Sequence, residues 1–226
     1  MKFKILRQKA PNTKPYYETF DYDGPMDSSV AGALDYINYK DDIVNDKGQA
    51  SSRISWECSC LQAMCGSCAM VINNRPALAC ETFLKDLKEI NTIEPLKKFM
   101  TVCDLVVDRS IIAENLLKAK VYKTGEVKVS KKDYENQYTI AKCLKCGLCL
   151  EVCPNYTKGN KFYGASFAND CYLIKSTSKS DEKELKAEFD KHFAASCSKS
   201  LSCMDVCPMN LPTLASIARM SRNKAN

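Results

Sequence analysis

Cysteine is the residue type most able to do chemistry in this chain. The 226 residues include 14 cysteines but only one histidine, His192. A Rieske centre needs two histidines on one iron, and a zinc finger of the Cys2His2 type also needs two, so a single histidine excludes both kinds of site. A Ser-His-Asp triad would have to use His192 alone. The composition therefore indicates chemistry carried by cysteine thiolates.

The first ligand set is predicted by four cysteines in the N-terminal half. Cys60, Cys65 and Cys68 form a Cys-x4-Cys-x2-Cys run, and Cys80 follows further along. This spacing is typical of a plant-type [2Fe–2S] centre, because a short loop can wrap three thiolates around two irons while a hairpin returns the fourth. Gly66 removes a side chain at the tightest point and lets backbone N–H groups turn toward the sulfurs. The alternative is a structural zinc site, although the Cys-x4-Cys spacing departs from the paired Cys-x2-Cys that zinc favours.

Two further cysteine runs lie in the C-terminal half. The first reads Cys143-x2-Cys146-x2-Cys149-x3-Cys153-Pro154. In a bacterial-type run of this kind the fourth cysteine binds the other cluster of a pair. The second run reads Cys197-x5-Cys203-x3-Cys207-Pro208, with Ser200 at the place of the missing second cysteine.

If the last cysteine of each run binds the cluster of the other run, the ligands of two clusters can be predicted. A [4Fe–4S] centre is expected at Cys143, Cys146, Cys149 and Cys207. A [3Fe–4S] centre is expected at Cys153, Cys197 and Cys203, because Ser200 leaves only three thiolates on that side. The alternatives are that Ser200 binds a fourth iron through its oxygen, or that solvent completes a [4Fe–4S] cluster. No residue is predicted to be catalytic.

Three cysteines have no place in these sets: Cys58, Cys103 and Cys171. We expect them to be buried thiols that behave as small apolar side chains. Cys58 lies close to Cys60 in sequence, but only Cys60 gives the [2Fe–2S] spacing. His192 is expected on a helix that precedes Cys197, packed or half exposed.

The elements that must hold the first ligand set indicate a mixed α/β unit over residues 1–105. Phe3 and Ile5 alternate with lysines, and an aromatic run follows at residues 16–22, which predicts two strands joined by a turn. Apolar residues at i, i+3, i+4 and i+7 predict an amphipathic helix capped by Asp27 or Ser28: Val30, Ala33, Leu34 and Ile37. Residues 70–72 and 77–79 flank a polar turn and predict a hairpin.

The second half, residues 106–226, is predicted to be helical, with loops that hold the cysteines. Three sets of apolar residues at helical spacing support this prediction: Ile112, Leu116 and Leu117; Leu185, Phe189 and Phe193; Leu214, Ile217 and Ala218. Ser180 and Asp181 are the predicted cap of the middle helix. The fold class expected for the whole chain is α+β.

Localisation and partner class are constrained by what the sequence lacks. The first nine residues contain no apolar segment of a secretory signal, and no stretch reaches the roughly 18 consecutive apolar residues that span a bilayer. We therefore expect reduced cysteines that bind metal rather than form disulfides.

The partner class is constrained by charge and motifs. The formal net charge of +6 is not accompanied by a lysine-rich block with interleaved aromatics, so nucleic acid is not an expected partner. No G-x-G-x-x-G pattern indicates a dinucleotide.

With these motifs the chain resembles the iron–sulfur subunit of succinate dehydrogenases and fumarate reductases over nearly its whole length. The resemblance is carried by the order of the cysteines, by the two prolines, and by residues 59–60, 65–70, 72–73, 78–80, 93–96 and 104–108.

The resemblance implies a β-grasp [2Fe–2S] domain over residues 1–105 and an α-helical ferredoxin domain over residues 106–226 with the [4Fe–4S] and [3Fe–4S] clusters. It also implies a flavoprotein partner whose covalent FAD interconverts succinate and fumarate, and a membrane anchor that meets quinone. The [2Fe–2S] centre would face the flavin, the [3Fe–4S] centre would face the quinone, and the [4Fe–4S] centre would lie between them. The chain would then be an electron-transfer subunit, peripheral on the cytoplasmic side of the cell membrane.

Several positions depart from the family pattern. Leu61 and Gln62 stand where the family commonly has Arg-Glu. Thr157 and Lys158 stand where succinate dehydrogenases commonly carry tryptophan, and Ser198 stands where they often carry histidine. Because those residues are associated with the quinone pocket, the departures favour the fumarate reductase branch.

Two other functional classes are kept as alternatives. One is the electron-transfer subunit of another flavoprotein reductase, such as a thiol-dependent fumarate reductase or a heterodisulfide-reductase-like complex. Such systems often add a Cys-Cys-Gly domain, and this sequence has no Cys-Cys pair. The other class is a free-standing ferredoxin, although free ferredoxins are usually small and acidic whereas this chain is basic.

Overall fold

The computed structural model describes residues 1–122, 127, 131, 134–177 and 182–222. The chain divides into two compact units, Met1–Asp108 and Arg109–Asn226. Within the described residues no helix combines the length and the apolar character needed to cross a membrane.

The first unit is built on a five-stranded mixed sheet. Its strands are β1 (Lys2–Arg7), β2 (Tyr16–Asp21), β3 (Ala69–Ile72), β4 (Arg75–Leu78) and β5 (Ile90–Glu94). Their spatial order is β2-β1-β5-β3-β4, with β1 antiparallel to β2 and parallel to β5. Strand β3 is antiparallel to both β4 and β5. A separate ribbon of β6 (Met100–Cys103) and β7 (Val106–Asp108) follows. The predicted pair of N-terminal strands is confirmed.

The helix of this unit, α1 (Val30–Asn38), confirms the predicted amphipathic pattern, since Val30, Ala33, Leu34 and Ile37 are all buried. The predicted cap is wrong. Ser29, and neither Asp27 nor Ser28, begins the helix, and its hydroxyl accepts the backbone N–H of Gly32 at 3.3 Å. The carbonyl of Ser28 instead accepts the backbone N–H of Leu84. The backbone of Ser28 therefore pairs with the segment beyond β4, and the next residue, Ser29, caps the helix.

The predicted hairpin is confirmed, with a tighter turn. Strand β4 begins at Arg75, so the turn between β3 and β4 consists of Asn73 and Asn74 alone. Their φ angles are 50° and 65°, the left-handed conformation that a two-residue turn requires and that asparagine tolerates. Two 3₁₀ turns, Ala79–Glu81 and Leu84–Asp86, follow the hairpin.

A buried ion-pair network holds the segment that leads toward the first ligand set. Arg7 at the end of β1 is 2% exposed, and its guanidinium lies 2.8 Å from Glu18 Oε2 and 3.1 Å from Asp104 Oδ1. Its Nη2 also donates to the carbonyls of Ser52 and Arg53. Since both carbonyls lie in an irregular segment, Arg7 substitutes for the hydrogen bonds that a strand partner would supply.

The second unit is helical in its described part, as predicted, and the two units together confirm the α+β class. Its helices are α2 (Ser110–Lys118), α3 (Tyr134–Ala141), α4 (Leu148–Val152), α5 (Gly164–Thr177), α6 (Glu182–Phe189), α7 (Ser202–Asp205) and α8 (Thr213–Ser221). A π-helical turn, Asp190–Ala194, continues from α6. Helix α5 is central, since it packs against α2, α3, α4, α6 and α8.

The predicted apolar faces of these helices are only partly correct. Leu185, Phe189 and Phe193 are buried as expected, whereas Leu117 is exposed. Helix α8 buries Ile217 but exposes Leu214 and Ala218. Its buried side chains are instead Thr213, Ser216, Ile217 and Met220, because polar residues form part of its contact with α5. The predicted cap at residues 180–181 lies outside the described residues.

Candidate iron–sulfur sites

The four cysteines of the first predicted set lie around the β3–β4 hairpin. Cys60, Cys65 and Cys68 lie on the loop before β3, and Cys80 lies in the 3₁₀ turn directly after β4. The Sγ atoms of Cys68 and Cys80 are 3.4 Å apart. The hairpin thus brings the distant fourth thiol back to the loop.

The backbone of this loop directs N–H groups at the sulfurs. The N–H groups of Gln62 and Met64 both donate to Cys60 Sγ at 3.3 Å, and that of Ala63 donates to Cys80 Sγ at 3.3 Å. Such donors stabilise negative charge on thiolate and sulfide, so the loop fits a [2Fe–2S] cluster. The loop reaches this shape through positive φ angles at Leu61 (54°), Ala63 (57°) and Gly66 (77°). Only Gly66 could be recognised from sequence, because leucine and alanine do not favour that conformation.

The thiols of this loop differ in acidity. The backbone N–H of Cys60 and then Ser67 donate to the Cys65 sulfur, which lowers the pKa of Cys65 to about 6 despite partial desolvation. Burial raises the pKa of Cys68 to about 12. Binding of iron therefore has to remove a proton from Cys68, whereas Cys65 is already a thiolate at neutral pH.

The second set lines one cavity of the helical unit. Cys143 and Cys146 precede α4, Cys149 lies within it, and Cys207 follows α7. All four line the same cavity, together with Cys203. The rest of the cavity wall is largely apolar. Its other lining residues are Ile112, Leu144, Lys145, Gly147, Leu148, Ala165, Ser166, Asn169, Pro208, Met209, Leu211 and Thr213.

Burial dominates the acidity of the thiols in this cavity. It raises the pKa of Cys146 to about 11 and that of Cys149 well above the ordinary value. The nearby thiols of Cys143, Cys203 and Cys207 add to the effect on Cys149. Thiols that raise one another's pKa lie close together, and iron is the cation that would allow them to ionise. The donor set and its apolar wall therefore fit a cluster.

One half-buried ion pair adjoins this cavity. Lys145 has a φ of 54° and pairs with the carboxylate of Asp170 on α5. The Lys145 charge lowers the pKa of Cys143, which burial raises overall. A cation thus lies within reach of the thiols while its own charge is balanced by a residue 25 positions away in sequence.

The third set lines a second cavity beside α7. Its wall contains Cys153, Cys197 and Cys203 together with Ser200, which lies between Lys199 and Leu201, two residues with positive φ angles of 58° and 61°. Burial raises the pKa of Cys203 to about 11. This cavity offers three thiols and the hydroxyls of Ser198 and Ser200, and Cys203 lines both cavities.

One of the residues that depart from the family pattern, Ser198, lines this cavity. Its hydroxyl donates a hydrogen bond to Asn155 Oδ1 at 2.6 Å. Phe162 and Phe193 supply apolar wall, with ring centroids 5.4 Å apart.

The residues left unassigned behave differently from one another. Cys171 is buried as expected, but Cys58 is exposed and Cys103 is half-buried, so that expectation is wrong for both. His192 is buried in the π-helical turn, where its ring stacks on Tyr163 with centroids 4.0 Å apart. Its Nδ1 lies 2.8 Å from the carbonyl of Lys161, and its Nε2 lies 3.2 Å from Glu188.

None of the fourteen cysteines, all of which fall in described parts of the chain, forms a disulfide. Over the described ranges no three His, Cys, Asp or Glu side chains converge on a point that would hold a single metal ion. Sequence reasoning missed Lys145, Asn169, Asp170 and Thr213, because their relation to the thiols depends on contacts between distant elements.

Two family models match the chain. A 2Fe-2S iron-sulfur cluster binding domain matches residues 2–114, and a 4Fe-4S dicluster domain matches residues 139–211. The first match favours the [2Fe–2S] interpretation of the Cys60 loop over the zinc alternative.

Individual proteins are similar over almost the full chain. The succinate dehydrogenase iron-sulfur subunit of Bacillus subtilis is 32% identical, covering 99% of this chain and 92% of its own length. The fumarate reductase iron-sulfur subunit of Haemophilus influenzae is 30% identical, covering 96% and 90%. A chain of the Mycobacterium smegmatis Sdh1 complex in the apo form has a TM-score of 0.78 at 20% identity, covering 100% of this chain and 98% of that one. At that identity the solved structure shows a shared fold.

Proposed function

The chain belongs to the family of succinate dehydrogenase and fumarate reductase iron–sulfur subunits, and we propose that it relays electrons between a quinone or membrane anchor and the FAD of a flavoprotein subunit. Its own role is electron transfer within an oxidoreductase complex. The interconversion of fumarate and succinate takes place on the flavoprotein partner. The single observation that supports this best is that the assigned thiols gather on one loop and hairpin and on the walls of two cavities, with Cys203 on both walls.

The ligand assignment is part of the proposal. The [2Fe–2S] cluster binds Cys60, Cys65, Cys68 and Cys80. The [4Fe–4S] cluster binds Cys143, Cys146, Cys149 and Cys207, which share one cavity wall. The [3Fe–4S] cluster binds Cys153, Cys197 and Cys203, which share the other cavity wall with Ser200. Domain limits of 1–105 and 106–226 accompany this assignment.

The chain's residues supply the environment that such clusters need. When bound, the clusters accept and release single electrons at potentials set by their surroundings. Backbone N–H groups of residues 62–64 stabilise charge on the sulfurs of the first site. Apolar side chains such as Leu148, Leu211 and Phe193 limit access of water to the two cavities. The Lys145–Asp170 pair fixes a charge beside the second site.

The partners and the location follow the family. We place the chain as a peripheral subunit on the cytoplasmic side of the cell membrane, bound to the flavoprotein and to one or more membrane-anchor subunits. Nucleic acid is not among the proposed partners. The departures at Thr157, Lys158 and Ser198 favour the fumarate reductase branch of the family.

Electron paramagnetic resonance (EPR) of the purified complex tests the first ligand set. Replacing Cys60, Cys65, Cys68 or Cys80 with alanine removes or strongly alters the signal of the reduced [2Fe–2S] cluster and leaves the other signals in place. Cys58→Ala is the matched control, since this exposed thiol is next but one to Cys60 and is outside the assignment. Persistence of an unaltered [2Fe–2S] signal in all four variants would refute the assignment, and lack of succinate- or fumarate-dependent dye activity in the complex would refute the function.

A second substitution tests the three-iron site. Ser200→Cys supplies the missing thiolate, so the EPR signal of the oxidised [3Fe–4S] cluster is lost as a fourth iron binds. Ser202→Cys adds a thiol two residues away, outside the cavity wall, and leaves that signal in place. An unchanged signal in Ser200→Cys argues against Ser200 as the vacant corner.

A further inference from the structure

Asn169 on α5 is a buried polar side chain on the wall of the cavity that holds Cys143, Cys146, Cys149 and Cys207. It is 2% exposed. Its Nδ2 donates to Thr213 Oγ1 at 3.0 Å, and its Oδ1 has no hydrogen-bond partner in the described part of the chain. An amide oxygen that is shut off from water and left unpaired is unfavourable, so this arrangement needs an explanation.

The two ends of the amide can exchange places without a change in packing. The NH2 and oxygen of an asparagine side chain are nearly equal in size, and a half turn about the last side-chain bond interchanges them. Thr213 can form a hydrogen bond with the amide in either arrangement, because a hydroxyl can both donate and accept. After the half turn, Thr213 donates to Oδ1 and the NH2 becomes the free end.

The charge in the cavity decides between the two arrangements. Thiolates and sulfides are negative and accept hydrogen bonds, so they repel an amide oxygen and attract an N–H group. The thiols of Cys143, Cys146, Cys149 and Cys207 line the same wall as Asn169.

We propose that the Asn169 side-chain amide, oriented by Thr213, donates an N–H···S hydrogen bond to the [4Fe–4S] cluster and raises its reduction potential. The reduced cluster carries one more negative charge than the oxidised cluster, so it gains more from the donor. Thr213 is the positioning residue, since it acts through Asn169, and the inference rests on the proposed function.

Selective labelling tests the contact in the unaltered holo complex. Asparagine labelled with ¹⁵N at the side-chain amide gives a ¹⁵N coupling to the reduced [4Fe–4S] cluster in pulsed EPR, and Asn169→Leu removes it. A wild-type complex with the [4Fe–4S] signal but without this coupling overturns the inference. The measurement on wild type needs no variant to fold.

Redox titration followed by EPR tests the effect on potential. Asn169→Leu keeps similar volume but removes both donors, and at a fixed ambient potential it lowers the ratio of reduced to oxidised [4Fe–4S] cluster by about fivefold, the effect of one ordinary hydrogen bond. Thr213→Val removes the hydrogen bond that orients the amide, and it lowers the ratio of reduced to oxidised cluster by less than Asn169→Leu does. Gln137→Leu is the matched control, because Gln137 is buried with an unpaired Oε1 but is not on the cavity wall, and it leaves the ratio unchanged.

The outcomes separate this inference from the function on which it rests. An unchanged ratio in Asn169→Leu, with the cluster present, overturns the role of Asn169 and leaves the electron-transfer function standing. An unaltered [4Fe–4S] signal in Cys143→Ala overturns the ligand assignment of that cluster. A wild-type complex without the [4Fe–4S] signal and without succinate- or fumarate-dependent dye activity overturns the proposed function itself.

Discussion

Exposure and acidity oppose each other at two thiols near the first site. Cys58 is exposed, yet partial desolvation and the nearby Asp35 carboxylate raise its pKa. Cys65 is half-buried, yet the N–H of Cys60 and the Ser67 hydroxyl lower its pKa to about 6. The thiolate is the nucleophile, so acidity rather than access should govern which of them reacts first.

We predict that, after iron is removed by chelation under reducing conditions, iodoacetamide alkylates Cys65 several-fold faster than Cys58 at pH 7. A lowered pKa means that Cys65 is a thiolate above about pH 6, whereas Cys58 ionises only at alkaline pH, so the difference narrows as the pH rises. Peptide mass spectrometry gives the two rates, and circular dichroism checks that the fold survives chelation.

Ser67→Ala provides the control for this prediction, since loss of the hydroxyl raises the pKa of Cys65 and slows its alkylation. In urea the two rates become similar, because the donors are lost. Faster labelling of Cys58 than of Cys65 at pH 7 in the folded protein contradicts the prediction.

At the residue scale, spacing alone predicts which thiols bind iron, while most of their environment could not be predicted from the sequence. The spacing of each cysteine run is visible directly in the sequence. In contrast, the positive φ angle of Ala63 and the pairing of Lys145 with Asp170 have no local signal, since each depends on how the loop closes against other elements.

At the scale of elements, the buried Arg7 network connects β1 and β2 to the segment that leads toward Cys60. Arg7 neutralises Glu18 and Asp104, and Asp104 in turn accepts the backbone N–H groups of Gln8 and Ser55. Removing the guanidinium leaves the buried Asp104 and the largely buried Glu18 without this cation, which is far more costly than losing an exposed pair.

We therefore predict that Arg7→Leu destabilises the first unit by about 3–5 kcal/mol, as expected when one partner of a buried pair is removed. The expected observation is a lower urea midpoint for loss of the visible absorbance of the [2Fe–2S] cluster. Lys40→Leu is the control, because Lys40 pairs with Asp23 at the surface at 2.9 Å and should change stability by about 1 kcal/mol or less. Equal midpoints for Arg7→Leu and wild type would show that the network is dispensable.

Helices were predicted more reliably than the faces they bury. The apolar period located α1, α6 and α8, but α8 turns Thr213 and Ser216 inward and Leu214 outward. A polar contact with Asn169 explains part of this rotation, and hydrophobic periodicity does not detect such contacts.

At the scale of the whole molecule, the order of the motifs was enough to predict an α+β chain with a sheet-based part followed by a helical part. The exchange of ligands between the two C-terminal cysteine runs stays a prediction, and it rests only on the order and spacing of the residues. The topology of the sheet, with β1 parallel to β5, could not be read from periodicity, since pairing between distant strands leaves no local pattern.

The division into two units leads to a prediction about autonomy. The first unit, Met1–Asp108, has its own buried core, which includes Phe3, Ile5, Leu34, Leu78 and Ile93. Cys60, Cys65, Cys68 and Cys80 all lie within it, and about 100 residues suffice for a stable core. We therefore expect residues 1–108, expressed alone, to fold and to bind one [2Fe–2S] cluster, with roughly two irons and two acid-labile sulfides per chain. Its reduced EPR spectrum should match the [2Fe–2S] signal of the full chain, and Cys80→Ala in the fragment should remove that signal. A fragment that folds by circular dichroism but binds no cluster, while the full chain does, would show that the first site needs residues beyond Asp108.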